Sequence, residues 1–397
     1  MADWRAALDG CIEDMAADLR ATRRHLHAHP EPSREEFRTA EYLAGRLDAD
    51  GIPARLVPSR RGVIAGPETS GPRVAIRGDI DALRIQDVKD VSYRSTVDGV
   101  MHACGHDAHA TMALGAARTL WRCRDALPGP VAWRVILQPA EEVGEGAFEM
   151  VEAGAVDGVA AIVALHVDPD LKVGRVAQRP GTLTASCADL RVTVRGVGGH
   201  AARPHLTTDP VAAAAQFVTT VYQSVPRSVD AREATVVTFG AIHGGSSPNV
   251  IPDRVELLGT IRATSRAAAE GVEARLRRVA RGLAEATGNE IEIVIDGAVA
   301  AVVNDPAVTA VCARAAGEVV GADRVDPIPL PSLGGEDFAA YLAHVPGCML
   351  RLGVASGDRP KCSLHSPHFD IDERALVLGV KILARSVVLL AAEGRVP

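Results

Sequence analysis

Ala160-Ala161-Ile162-Val163-Ala164-Leu165-His166-Val167-Asp168-Pro169 is a short apolar run that stops on an imidazole. Six apolar residues bounded by polar punctuation predict a buried strand ending at Leu165. The same grammar occurs twice upstream. Val131-Ala132-Trp133-Arg134-Val135-Ile136-Leu137 stops at Gln138-Pro139-Ala140-Glu141-Glu142, and Val74-Ala75-Ile76 stops at Arg77-Gly78-Asp79-Ile80-Asp81. Helical patterns precede them, one through Ile12 to His27 and another through Glu35 to Leu47, so helices alternate with short strands. That alternation predicts an α/β fold. In open α/β sheets the ligand crevice lies outside the carboxyl ends of the strands, so three polar strand ends point into one place.

The grammar changes after Gly181. Leu190 to Val194 reads as a strand, Asp209-Pro210 opens a helix through Ala212 to Ser224, and strands follow at Thr235 to Ile242 and Val255 to Arg262. Proline is well placed at a first helical position. A long helix from Ser265 to Ala286 and a strand from Glu290 to Ile295 complete the order β-α-β-β-α-β, a ferredoxin-like unit. The first grammar then returns, with helices near Asp305 to Val320, Glu336 to Leu342 and Arg374 to Ala392. Residues 183–297 therefore read as an insertion into a larger domain made of 1–182 and 298–397.

Composition narrows the function. Over 397 residues the net charge is −7 and aromatic residues make up 3%. There is no basic stripe to meet a phosphate backbone and few rings on which bases could stack, so a nucleic-acid partner is not expected. No stretch of eighteen uninterrupted apolar residues suggests a membrane span. Seven cysteines, dispersed and never spaced Cys-x-x-Cys, suit a reducing, cytoplasmic compartment.

The chemistry is concentrated in Met101-His102-Ala103-Cys104-Gly105-His106-Asp107-Ala108-His109, one thiol and three imidazoles within nine residues. Cys104 and His106 lie two apart, so a tight loop can turn both to one side. His166 at a strand end and His365 in Cys362-Ser363-Leu364-His365-Ser366-Pro367-His368 add further imidazoles. Glu141 and Glu142 are adjacent and point in different directions, so one can bind metal while the other serves as base. Asp79 and Asp81 alternate at a strand end, where one can orient a histidine ligand. Amide hydrolysis at neutral pH needs an activated water, a base and positive charge for the oxyanion, and two metal ions about 3.5–4 Å apart supply the first and third.

This set, in this order, resembles the M20 family of metal-dependent amidohydrolases, within it the branch that hydrolyses N-acyl amino acids, hippurate and auxin conjugates. The resemblance spans nearly the whole chain. It is carried by the 77–83, 101–107, 138–142 and 164–167 segments, by Gly198-Gly199-His200-Ala201-Ala202-Arg203-Pro204-His205, Pro248-Asn249-Val250-Ile251-Pro252 and Gly259-Thr260-Ile261-Arg262, and by Leu364-His365-Ser366-Pro367. It implies a larger zinc-peptidase-like catalytic domain with the ferredoxin-like insertion as a lid and dimerisation domain. It further implies that Cys104, His106, Glu142, His166 and His365 hold two divalent ions, zinc or manganese with cobalt also suited. Glu141 would be the general base and Asp81 the orienting carboxylate. His200 would polarise the scissile carbonyl in the partner subunit of a homodimer or dimer-based oligomer, and Asn249 and Arg262 would lie near the substrate carboxylate.

The implied substrate is a small N-acyl amino acid; a dipeptide or carboxypeptidase substrate presents the same amide beside a free carboxylate. A metal-binding scaffold without turnover would be marked by loss of the base or a ligand, and none is lost. Arg84 stands where the family commonly has proline, which puts a cation at or near the site's rim. The Gly334-Gly335-Glu336-Asp337-Phe338 segment reads as a supporting wall. His102, His109, His205 and His368 read as outer or surface residues.

Overall fold

The computed structural model describes residues 3–69, 71–357 and 362–392. They form two compact units. The first runs to Leu183 and resumes with Val303–Leu330 and from Asp337 onward; the second is Thr184–Val302 with Pro331–Glu336.

An eight-stranded sheet organises the first unit, in the order Ala54–Leu56, Val63–Ala65, Trp133–Gln138, Arg73–Asp79, Val159–Lys172, Gly347–Ala355, Val176–Gln178, Val325–Pro327. Its four central strands, Trp133–Gln138 to Gly347–Ala355, are parallel. Parallel strands are covered on both faces, which is why these segments read as continuous apolar runs instead of alternating ones. The strand that contains residues 160–165 does not stop at Leu165. It runs through His166 to Lys172, because its pairing with Gly347–Ala355 continues past the imidazole.

Helical boundaries also differ from their sequence patterns. The helix expected through Ile12 to His27 is two helices, Trp4–Asp14 and Ala16–Ala28, broken at Met15. Only Ala339–Leu342 of the expected 336–342 helix is helical. Arg374–Ala392 is, among the described residues, the one helix long and apolar enough to cross a membrane, and 67% of its apolar window is buried inside the protein. Its Val380, Leu383 and Val387 join the core of the first unit with Met112, Ala116 and Leu19, so its apolarity serves packing.

In the second unit the sheet order Thr235–Gly244, Arg254–Ala263, Ser186–Arg195, Glu290–Val299 is antiparallel throughout. With helices Pro210–Ser224 and Arg266–Thr287 this is the ferredoxin-like order. Asp209 caps the first helix by accepting from the Val211 amide at 2.9 Å, with Pro210 at the first helical position. Phe217, Val221 and Leu276 pack on Val192, Val194 and Leu257 to form this unit's own core. A separate two-stranded ribbon pairs Val250 with His200 and Ile251 with Gly199.

Candidate metal centre

The Cys104-Gly105-His106 turn depends on its glycine. Gly105 has φ +87°, and a Cβ there would lie 2.4 Å from Val167 Cγ2. Only glycine takes this conformation without strain or clash. The helix His106–Arg122 starts at the next residue, so His106 is held at its first turn with Cys104 just before it. Cys104 Sγ then lies 3.7 Å from His166 Nε2. One ligand atom from each of Cys104, His106 and His166 falls within 4.8 Å of the other two.

The carboxylates arrive on a second tight turn. Ala140, with φ +51°, turns the chain after the strand Trp133–Gln138 and is followed at once by Glu141 and Glu142. Its amide donates to Glu36 at 2.7 Å, and the Glu142 amide donates to Asp81 at 3.1 Å. Two buried carboxylates therefore hold the turn that presents two others. Glu142 Oε1 lies 3.7 Å from His106 Nε2 and 3.5 Å from His365 Nε2; Glu141 Oε2 lies 3.8 Å from His106 Nε2. His365 has φ +62°, and its amide donates to the Ala103 carbonyl at 2.9 Å, which ties its loop to the cysteine motif.

These separations are too long for good hydrogen bonds. They match the roughly 3.3–3.8 Å between donors arranged tetrahedrally about one ion, given metal–ligand bonds of about 2.0–2.3 Å. His106 Nε2 and Glu142 Oε1 are buried and have no hydrogen-bond partner. Tautomers follow from the opposite nitrogens. His106 Nδ1 donates to the Asp81 carboxylate and carbonyl, each at 3.0 Å, and His166 Nδ1 donates to the Val167 carbonyl at 2.7 Å. In the neutral rings both Nε2 lone pairs are thereby turned toward the cluster. Imidazole, thiol and carboxylate around orphaned donors fit a divalent metal site.

His109 differs. It is buried, its Nδ1 donates to Asp79 at 2.7 Å, and its Nε2 accepts from the Val167 amide at 2.9 Å. With both nitrogens spent it braces the site from behind. Asp79 in turn receives Arg77, which also bonds Gln138 at 2.8 Å and Asp337 at 3.0 Å. Asp337 accepts from the Ala147 amide at 2.9 Å as well, so this part of the 334–338 segment is built into the wall behind the cluster.

Electrostatics divide the histidines. Burial alone would depress His106, but Asp79, Cys104 and Asp81 outweigh it and hold its pKa well above the ordinary value. Burial, reinforced by the Arg351 cation, holds His166 well below the ordinary histidine range. Burial pushes the Cys104 thiol up to about 12. A dication would have to displace protons from His106 and Cys104, and it supplies the charge to do so.

His200, Asn249 and Arg262 belong to the second unit. His200 is exposed, and its Nδ1 accepts from the Ala202 amide at 3.1 Å, so the proton sits on Nε2 and that nitrogen is a donor. Asn249 Oδ1 accepts from Ser247 Oγ at 2.6 Å, which turns the amide NH2 outward, and the Asn249 carbonyl accepts from the Ala201 amide at 3.1 Å. One ribbon thus carries both donors. Arg262 Nη1 donates to the Leu333 carbonyl at 2.6 Å. Arg84, expected at the rim, is 69% exposed and pairs with Glu35.

The family model for peptidase family M20/M25/M40 matches residues 75–388. The chain belongs to this family. N-acetylcysteine deacetylase of Bacillus subtilis is 38% identical to it over 93% of this chain and 95% of that protein. IAA-amino acid hydrolase ILR1-like 4 of Arabidopsis thaliana is 35% identical over 91% of this chain and 83% of that one. The crystal structure of Bacillus subtilis YXEP protein, described as a dinuclear metal binding peptidase from the M20 family, superposes with a TM-score of 0.81 at 34% identity, covering 96% and 99% of the two chains.

Two features of this M20 site had no signal in the sequence. Glu36 lies in a polar run, Ser33 to Glu36, that reads as the start of a helix, yet it is fully buried and accepts from Ala140. Burial, followed by the Asp81 charge, raises its carboxyl to about 7. Arg351 sits in the apolar strand Gly347–Ala355, where the pattern alone suggests packing.

Proposed function

We propose that this M20 chain hydrolyses the amide bond of N-acyl amino acids, releasing a carboxylic acid and a free amino acid, with two divalent ions held by Cys104, His106, Glu142, His166 and His365. The observation that carries this reading is the convergence of unpartnered His106 Nε2 and Glu142 Oε1 with Cys104 and His166. The ions, when bound, supply the Lewis acidity that amide hydrolysis at neutral pH requires. Zinc or manganese suits one sulfur among imidazoles and carboxylates, with cobalt as a further candidate.

Glu141 takes the proton of the attacking water and returns it to the leaving amine, a role open to it because Glu142 is the partner turned toward His365. Asp81 keeps His106 in the tautomer that presents Nε2. His200 donates from Nε2 to the carbonyl oxygen as it becomes negative, and the amide of Asn249 and the guanidinium of Arg262 receive the substrate carboxylate. The working form is a homodimer or dimer-based oligomer in which His200 serves the site of the partner subunit. Seven free cysteines support a cytoplasmic setting. The similarity to an N-acetylcysteine deacetylase and an IAA-amino acid hydrolase favours an N-acyl substrate over a dipeptide.

The test is amine release from N-acetyl, N-benzoyl and N-fatty-acyl amino acids and dipeptides, using metal-stripped protein refilled with zinc or manganese. Metal-dependent turnover of the acyl compounds is expected. Turnover confined to dipeptides would replace the acylase with a peptidase, and no turnover in protein shown to hold two ions would leave a binding protein.

A further inference from the structure

The parallel registers place a cation beside the metal cluster. Arg77 pairs with Ala164, so His166, two residues further along the same strand, points to the face of the sheet that carries Arg77 and Asp79. Arg351 pairs with His166 in the next strand and therefore points to that face too. Neighbouring strands lie about 4.8 Å apart, so the two side chains start side by side. On its other flank Arg351 pairs with Ala177, whose methyl leaves room for a guanidinium. Two residues on, Gly353 carries no side chain, and a Cβ there would lie 2.1 Å from the Lys172 carbonyl. Arg351 is thus the last side chain this strand projects on the metal face before Ala355.

Three other arginines of the same unit are engaged elsewhere. Arg77 bonds Gln138 and Asp337, Arg179 donates to the Thr182, Ile328 and Pro329 carbonyls, and Arg84 pairs with Glu35. The Arg351 side chain is partly buried and makes no hydrogen bond or ion pair with any described residue. A guanidinium held partly out of water favours an anion, and its planar fork matches a carboxylate with two parallel bonds.

We propose that Arg351 is a specificity residue that binds a second substrate carboxylate, additional to the α-carboxylate, so that the preferred substrates are acidic N-acyl amino acids. The inference rests on the hydrolase reading above. The second carboxylate has two sources, the far end of a dicarboxylic acyl group or the side chain of an acidic amino acid. In both cases it would lie next to the reacting amide, because Arg351 is next to His166.

Two matched pairs distinguish the sources: N-succinyl-L-leucine against N-butanoyl-L-leucine, and N-acetyl-L-glutamate against N-acetyl-L-glutamine. With zinc-loaded enzyme, the acidic member of at least one pair is expected to have a kcat/KM on the order of 10- to 100-fold higher, carried mostly by KM. In Arg351→Met that ratio falls to near one, whereas Arg351→Lys keeps part of it. Because each ratio is taken within a single variant, a general loss of folded protein does not move it. Equal kcat/KM within both pairs in the wild type, or a ratio that survives Arg351→Met, overturns the inference. Calorimetric binding of the same four compounds to zinc-loaded Glu141→Gln protein, with and without Arg351→Met, separates the two failures. An Arg351-dependent preference in binding without turnover of any compound would sustain the inference and sink the hydrolase reading.

Discussion

The metal-facing side of the first unit and the His200 ribbon of the second hold their polar groups by opposite means. At the metal cluster the two buried imidazoles are each aimed by a buried partner on the far side: Asp81 behind His106 and the Val167 carbonyl behind His166. Asp79, His109, Arg77 and Asp337 form a further buried layer. On the ribbon, His200 and Asn249 are exposed, and their side chains are aimed by neighbours two residues away, the Ala202 amide and Ser247. Groups proposed to hold concentrated charge sit in a low-dielectric shell that satisfies their other atoms, whereas groups proposed only to donate to an arriving substrate can be aimed by local turns.

Four variants break or sharpen that contrast. The largest effect is expected from Glu141→Gln, which should lower kcat by about 10²–10⁴-fold while metal stoichiometry stays at two per chain, read by elemental analysis. Loss of metal would move Glu141 into the ligand set. Next, His200→Ala should lower kcat by about 10²–10³-fold, with no change in metal content or melting temperature, because the ribbon is locally built. A change in metal content would show that the ribbon and the cluster are not independent.

Asp81→Ala comes third and should weaken metal affinity by roughly 10- to 100-fold, since His106 loses the group that fixes its tautomer. Affinity in the wild type should rise with pH. His106 is held above its ordinary pKa and Cys104 is pushed up to about 12, so both give up protons when metal binds and regain them in acid. Competition with a chelator from pH 6 to 8 reads the slope, and a flat profile would refute proton release. The smallest effect is expected in the second unit, where Arg277 pairs with Glu273 at 2.8 Å and both are nearly half exposed. Arg277→Ala should cost at most about 0.5 kcal/mol in denaturant unfolding. A larger loss would show that the surface pairs of this unit are not equivalent to solvated ones.

Much of the architecture was legible because its signals are local. Apolar runs of strand length, the Asp209-Pro210 helix start and the β-α-β-β-α-β order all depend on neighbours in the chain. The errors were equally local: the break at Met15 leaves the apolar period almost undisturbed, and the strand through His166 continues because its partner strand does. His109 read as an outer residue, but nothing near it in the chain could assign one nitrogen to Asp79 and the other to the Val167 amide. Spacing alone did not separate Asp79 from Asp81, which only the family resemblance singled out; packing sends Asp79 to His109 and Asp81 to His106.

By itself the amino-acid sequence determined the chemical inventory: one thiol, three imidazoles and two adjacent acids at strand ends, with an inserted antiparallel unit carrying further donors. Residue type, spacing and hydrophobic period are enough for that, because each is a property of the chain alone. The tertiary structure decided which donor atoms stay free. His106 Nε2 is available because Asp81 takes Nδ1, Glu36 leaves the surface to hold the Ala140 turn, and Arg351 stands beside His166 through strand register. Those outcomes depend on hydrogen bonds and pairings between residues far apart in the chain.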